Sequence, residues 1–168
     1  VPSISFTGWF DAAFPGSPMN YVAMKENGAT PQARRPSLVI GPWNHGINKQ
    51  VSGGIDYGTD AVIDVDGYIV RWFDHFLKGM DNGVESDPPV YVFVMGENVW
   101  RTENEWPLAR AQETRFFLHS CGRANTLNGD GMLSRDANGA SESPDAFLYD
   151  PRNPVPTKGG ELCCDLLF

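Results

Sequence analysis

Apolar positions along the 168-residue chain change character near residue 88. Before that point strand-like and helix-like segments alternate. After it the apolar runs are short and separated by Gly, Asn, Asp and Pro. Pro2 to Thr7 carries Ile4 and Phe6 between small residues and reads as a short strand. Pro18 to Asn27 is predicted as a helix, with Pro18 suited to its first turn, Tyr21, Val22 and Met24 on one face, and Gly28 as its stop. Ser37-Leu38-Val39-Ile40 is a continuous apolar run, as expected of a strand buried on both faces of a parallel sheet. Strand, helix and strand in this order make a βαβ unit with parallel strands and a right-handed crossover. Ser52 to Gly58 is a glycine-rich loop. Val62 to Met80 is the strongest helical pattern: Ile69, Trp72, Phe73, Phe76, Leu77 and Met80 recur at helical spacing, with Gly79 near the end. Trp72 and Phe76 should meet the sheet.

Asp81 to Pro89 is polar and ends in two prolines, the expected domain boundary. Beyond it, Val90 to Met95 reads as a strand apolar on both faces, Arg115 to His119 as another, and Phe147-Leu148-Tyr149 as a third. Leu127 to Gly131 and Asp150 to Pro154 read as turns. Short strands with frequent turn signals predict a β-sandwich or barrel. The expected organisation is therefore α/β over residues 1–88, followed by a β domain over 89–168.

Composition supports a packed core, with 41% hydrophobic and 12% aromatic residues. The formal charge of −8 disfavours nucleic acid and anionic membranes as partners. No apolar run approaches the ~20 residues of a membrane-spanning helix, and no signal peptide is visible. The chain opens at Val1 inside a strand-like run and stops in an apolar stretch, so both ends read as cut. The compartment is therefore open, as is assembly into a homo-oligomer. Three cysteines, Cys121, Cys163 and Cys164, make a poor disulfide framework and lack metal-site spacing. They are expected to be buried or half-buried free thiols.

The candidate chemistry is positional. Asp11 follows the end of the first predicted strand, in Gly8-Trp9-Phe10-Asp11. His45 follows the end of the next, in Gly41-Pro42-Trp43-Asn44-His45-Gly46. Catalytic groups of parallel α/β sheets gather outside the carboxyl ends of the strands. A carboxylate bonded to one histidine nitrogen holds the tautomer that a serine hydrolase needs. Asp before His matches the order Ser, Asp, His of α/β-hydrolases. The elbow pattern Gly-x-Ser-x-Gly is absent, so the nucleophile is not in this chain. Phe10, Phe14 and Trp43 flank the pair as candidates to line a substrate pocket, although Trp43 fits sheet packing equally well. His75 and His119 read as structural and surface residues respectively. The acidic stretch Asp56, Asp60, Asp64 and Asp66 lacks calcium-loop spacing and suits helix capping better. No metal or cofactor is expected.

These residues resemble a known family. Gly8-Trp9-Phe10-Asp11 and Arg35 to Gly46 are similar to the acid and histidine motifs of the CocE/NonD hydrolases. That group includes cocaine esterase, α-amino acid ester hydrolases, glutaryl acylases and Xaa-Pro dipeptidyl-peptidases. Arg71 to Gly79, Pro89 to Gly96, Trp100-Arg101 through Glu105-Trp106-Pro107, and Asp150-Pro151 through Gly159-Gly160 also match. The resemblance implies the C-terminal part of an α/β-hydrolase domain followed by the start of a jelly-roll-like β-sandwich. It implies Asp11 and His45 as the acid and base of a triad, with the serine, the oxyanion-hole tyrosine and a helical cap lying upstream. The implied substrate is a small ester, an amide or a short peptide, and the chain alone should be inactive. The alternative is a non-catalytic β-sandwich binding module with a vestigial hydrolase remnant.

Overall fold

A computed structural model describes residues 2–137 and 142–155. The chain divides into two compact units, one reaching Ala109 and the other starting at Arg110.

In the first unit, β1 (Ile4–Gly8), α1 (Gly16–Asn27) and β2 (Ser37–Gly41) form the expected βαβ unit, and β1 and β2 pair in parallel with Gly8 opposite Gly41. β5 (Val90–Val94) pairs in parallel with the far side of β2, and β6 (Val99–Glu103) returns antiparallel to β5. The sheet therefore runs β1-β2-β5-β6, continuous across residue 88. The sequence signal at Pro88-Pro89 is a strand entrance: the Pro89 carbonyl accepts the Leu38 N–H at 2.9 Å and starts the β2–β5 ladder.

Helices cover both faces, which is why the strands are apolar throughout. Tyr21 of α1 packs with Leu38, Ile40, Val90 and Val92. Val65 of α2 (Val65–Lys78) packs with Val39 and Trp43 on the other face, with Ile69 and Tyr91 beside them. The packed stripe of α2 includes Val65, Ile69 and Trp72, and Trp72 lies against Phe76 in a tilted contact with ring centroids 4.7 Å apart. Phe73, Leu77 and Met80 are exposed, so the predicted apolar stripe is wider than the face that packs. Asp64 caps α2 by accepting the Gly67 N–H at 2.9 Å, and Gly79 ends it in the left-handed conformation at φ 70°. α1 ends differently. Gly28 has φ −53°, and a Cβ there would sit 2.8 Å from the Met24 carbonyl oxygen, so a close approach demands the glycine.

The predicted glycine-rich loop is a small hairpin, β3 (Val51–Ser52) with β4 (Ile55–Asp56), turned by Gly53 and Gly54 at φ 59° and 77°. Among the described residues of the second unit the strands are β7 (Phe117–His119) and β8 (Met132–Ser134), paired antiparallel. Phe147-Leu148-Tyr149 forms no strand and is exposed, with no strand pairing to it among the described residues. Cys121 is exposed, contrary to the expectation of a buried thiol. Cys163, Cys164 and the Gly159-Gly160 motif lie outside the described residues. Among the described residues no helix is long and apolar enough to cross a membrane.

Candidate active site

Two glycines at the strand ends decide how closely the following loops run. A Cβ on Gly8 would lie 2.0 Å from the Trp43 carbonyl oxygen, and one on Gly41 would lie 2.2 Å from the Trp43 indole. Without side chains there, the loops continue the β1–β2 alignment past the strands. The Trp9 N–H donates to the Gly41 carbonyl at 2.9 Å and the Phe10 N–H to the Trp43 carbonyl at 3.0 Å. Trp43 is fully buried and its indole N–H donates to the Ala61 carbonyl at 2.8 Å. The Trp9 indole N–H donates to the Phe93 carbonyl at 2.8 Å, tying the other loop to β5.

This scaffold brings Asp11 and His45 together. His45 Nδ1 lies 2.9 Å from Asp11 Oδ1. The Asp11 side chain is 6% exposed and the His45 side chain 56%. Asp11 Oδ1 also accepts the Ala13 N–H at 2.8 Å, and Oδ2 accepts the Thr7 hydroxyl at 3.2 Å. A carboxylate only accepts, so the geometry calls for the proton on Nδ1 and leaves the Nε2 lone pair outward. Among the described residues nothing hydrogen-bonds to Nε2. The adjacent Asn44 is buried and its Oδ1 accepts the Gly46 N–H at 2.9 Å, shaping the turn that presents the ring.

The other two histidines are differently placed. His75 Nδ1 contacts the Met80 carbonyl at 2.8 Å, and Nε2 lies 3.6 Å from Glu85. His119 contacts Glu142 through Nδ1 at 2.6 Å and the Asp136 carbonyl through Nε2 at 2.8 Å, so it is no simple surface residue. His45 alone keeps a ring nitrogen without a partner among the described residues.

The pocket candidates behave unevenly. Trp43 belongs to the core and is not available to a ligand, since its ring fills the space above Gly41. Phe10 packs with Tyr57, Ala61 and Phe93, and Phe14 lies half-buried against Trp9 at 5.1 Å. None of the three lines the cleft of about 230 Å³ in this unit, which opens beside Tyr21, Arg34, Ser37, Trp72 and Pro89. Ser37 begins β2 and Pro89 precedes β5, so that cleft lies at the opposite end of the sheet from Asp11 and His45. The acidic stretch is used structurally: Asp64 caps α2, and Asp56 accepts from Gln50 and the Gly58 N–H, which hold its carboxyl below the usual range. Among the described residues no group of three or more His, Cys, Asp or Glu could hold a metal ion.

Thr7, Gly8 and Gly41 were not singled out as site residues by sequence reasoning. A hydroxyl four residues before the candidate acid was the available signal for Thr7. The glycines give no signal until the Trp43 backbone is seen crossing them.

Known proteins resemble this chain over most of its length. A model of the X-Pro dipeptidyl-peptidase C-terminal non-catalytic domain matches residues 82–158. Cocaine esterase from Rhodococcus sp. (strain MB1 Bresler) is 38% identical over 166 residues, covering 96% of this chain and 28% of the esterase. These likenesses support a resemblance to a fragment of the CocE/NonD family. Another relative is a Mycobacterium bovis protein (strain ATCC BAA-935 / AF2122/97) with a provisional serine-esterase name. It is 30% identical over 155 residues, 87% of this chain and 20% of that protein. The crystal structure of an aminopeptidase from a marine sediment Thaumarchaeota archaeon superposes with a TM-score of 0.55 at 25% identity, covering 93% of this chain and 24% of that one. The chain thus spans roughly a quarter of the length of such relatives. Its match to the non-catalytic domain begins before β5 and so includes two strands of the four-stranded sheet.

Proposed function

We propose that this chain supplies the acid and the histidine of a Ser-His-Asp triad to a serine acyl hydrolase. The observation that carries the reading is the 2.9 Å contact between buried Asp11 and half-exposed His45, with Nε2 unengaged among the described residues. In this mechanism a serine from elsewhere in the protein attacks the substrate carbonyl while His45 Nε2 takes its proton. The same nitrogen returns the proton to the leaving alcohol or amine, and water then hydrolyses the acyl-enzyme. Asp11 stays ionised, holds Nδ1–H and stabilises the imidazolium. Residues 1–88 are read as the last strands of an α/β-hydrolase domain, and the chain from 89 onward as the start of a jelly-roll-like β domain whose first strands, β5 and β6, extend the sheet of β1 and β2. The substrate class is a small ester, an amide or a short peptide such as an Xaa-Pro dipeptide unit, and by itself the chain is inactive.

The test is labelling of the full-length protein with a fluorophosphonate probe, with and without Asp11→Asn. One serine should label rapidly in the native protein and far more slowly in the variant. Absence of labelling at any serine would sink the reading and favour the binding-module alternative. That alternative draws support from the non-catalytic description of the domain matched over residues 82–158.

A further inference from the structure

We propose that Thr7 is a positioning residue for the catalytic acid, locking the plane of the Asp11 carboxylate through its second oxygen. The proposal rests on the triad reading above and deepens it. Thr7 is fully buried near the end of β1, and Asp11 is 4% exposed. Thr7 immediately precedes the tight turn Gly8–Asp11, in which the Asp11 N–H donates to the Gly8 carbonyl at 3.0 Å.

The division of donors is what singles Thr7 out. Oδ1 is shared by His45 Nδ1 at 2.9 Å and the Ala13 N–H at 2.8 Å. Oδ2 receives the Thr7 hydroxyl at 3.2 Å, its one donor among the described residues. The terminal torsion of an aspartate is broad and roughly two-fold, so bonds to one oxygen alone leave the carboxylate plane loosely defined. A donor on each oxygen fixes the plane and keeps Oδ1 directed at the imidazole. Removing the hydroxyl leaves a buried carboxylate oxygen unsatisfied, which favours rotation of the group toward other donors. The imidazole then loses its orientation, and the transition state suffers more than substrate binding does.

The experiment uses the full-length enzyme and a p-nitrophenyl ester. Thr7→Val keeps the shape and removes the donor, and kcat should fall about 10-fold with KM within about twofold. Thr7→Ser restores the donor and should return kcat to within about threefold of the native value. In an Asp11→Asn background, Thr7→Val should add less than about twofold, because the two residues act as one unit. If Thr7→Val does not fold, Thr7→Ala makes the same comparison against Thr7→Ser. A native kcat for Thr7→Val beside a slow Asp11→Asn overturns the role of Thr7 and leaves the triad standing. A Thr7→Ser variant as slow as Thr7→Val also overturns it, since a hydroxyl at this position would then not suffice to hold the acid. A native rate for Asp11→Asn overturns both readings.

Discussion

Two hydrogen-bonded histidine–carboxylate pairs among the described residues, Asp11–His45 and His119–Glu142, look alike as contacts and differ in what they leave free. In Asp11–His45 the carboxylate is buried, the ring is half in solvent, and one ring nitrogen is used. In His119–Glu142 the ring is the more buried partner and both nitrogens are used, by Glu142 and by the Asp136 carbonyl. The first pair orients an imidazole toward space that a reacting atom can enter. The second holds a cross-link within the Arg110–Pro156 unit. A carboxylate beside a histidine is therefore no signature of proton-transfer chemistry; the decisive feature is an unengaged second nitrogen beyond the end of a strand.

The largest contrast should come from turnover. Asp11→Asn should lower kcat of the full-length enzyme roughly 10⁴-fold, whereas His119→Gln should leave ester hydrolysis unchanged within about twofold. Comparable losses in both variants, measured by steady-state kinetics, would erase the distinction.

Next in size is the scaffold beneath the first pair. Gly8→Ala would force a Cβ to 2.0 Å from the Trp43 carbonyl oxygen. The backbone cannot yield there without parting the two loops, so a destabilisation of roughly 3 kcal/mol is expected in urea unfolding, with loss of activity. A Gly8→Ala protein of native stability would mean that the loops are free to separate. A smaller effect should follow Trp43→Phe, which removes the indole N–H donated to Ala61 and leaves that buried carbonyl short of a partner. About 1 kcal/mol is expected by the same measurement.

The smallest effect is a pH dependence confined to the second pair. The Glu142 hydrogen bond, followed by the Asp136 carbonyl, raises the affinity of His119 for its proton above the ordinary histidine value. A raised folded value means that protonation stabilises the fold. The contribution is full below the unfolded value near ~6.5 and is lost as pH rises through the higher folded value. Thermal unfolding across this range should show a decline in stability in the native protein that flattens in His119→Gln. An unchanged slope in the variant would assign the dependence to other groups.

Much of the first unit was legible because each element there carries its own signal. Ser37-Leu38-Val39-Ile40 could only be a strand covered on both faces, and α2 declares its ends through Asp64 and Gly79. The expected division at Pro88-Pro89 shows the limit. Two prolines mark a chain entering a new element, yet that Val90–Val94 pairs with β2 depends on a partner strand distant in sequence. The breadth of the apolar stripe on α2 was legible, but which part of it packs was not, since Phe73 and Ile69 are equivalent until the sheet lies against one of them.

The sequence by itself determined the strand ends, the order of acid and histidine, the absence of a serine elbow, and the family motifs, because these are properties of local spacing and residue type. Only the tertiary structure decided that Asp11 touches His45, that Trp43 is core, that His119 spends both nitrogens, and that Thr7 faces the acid. Each of those depends on which backbone passes within a few ångströms of another, a distance set by packing between segments and by the room that Gly8 and Gly41 leave for it.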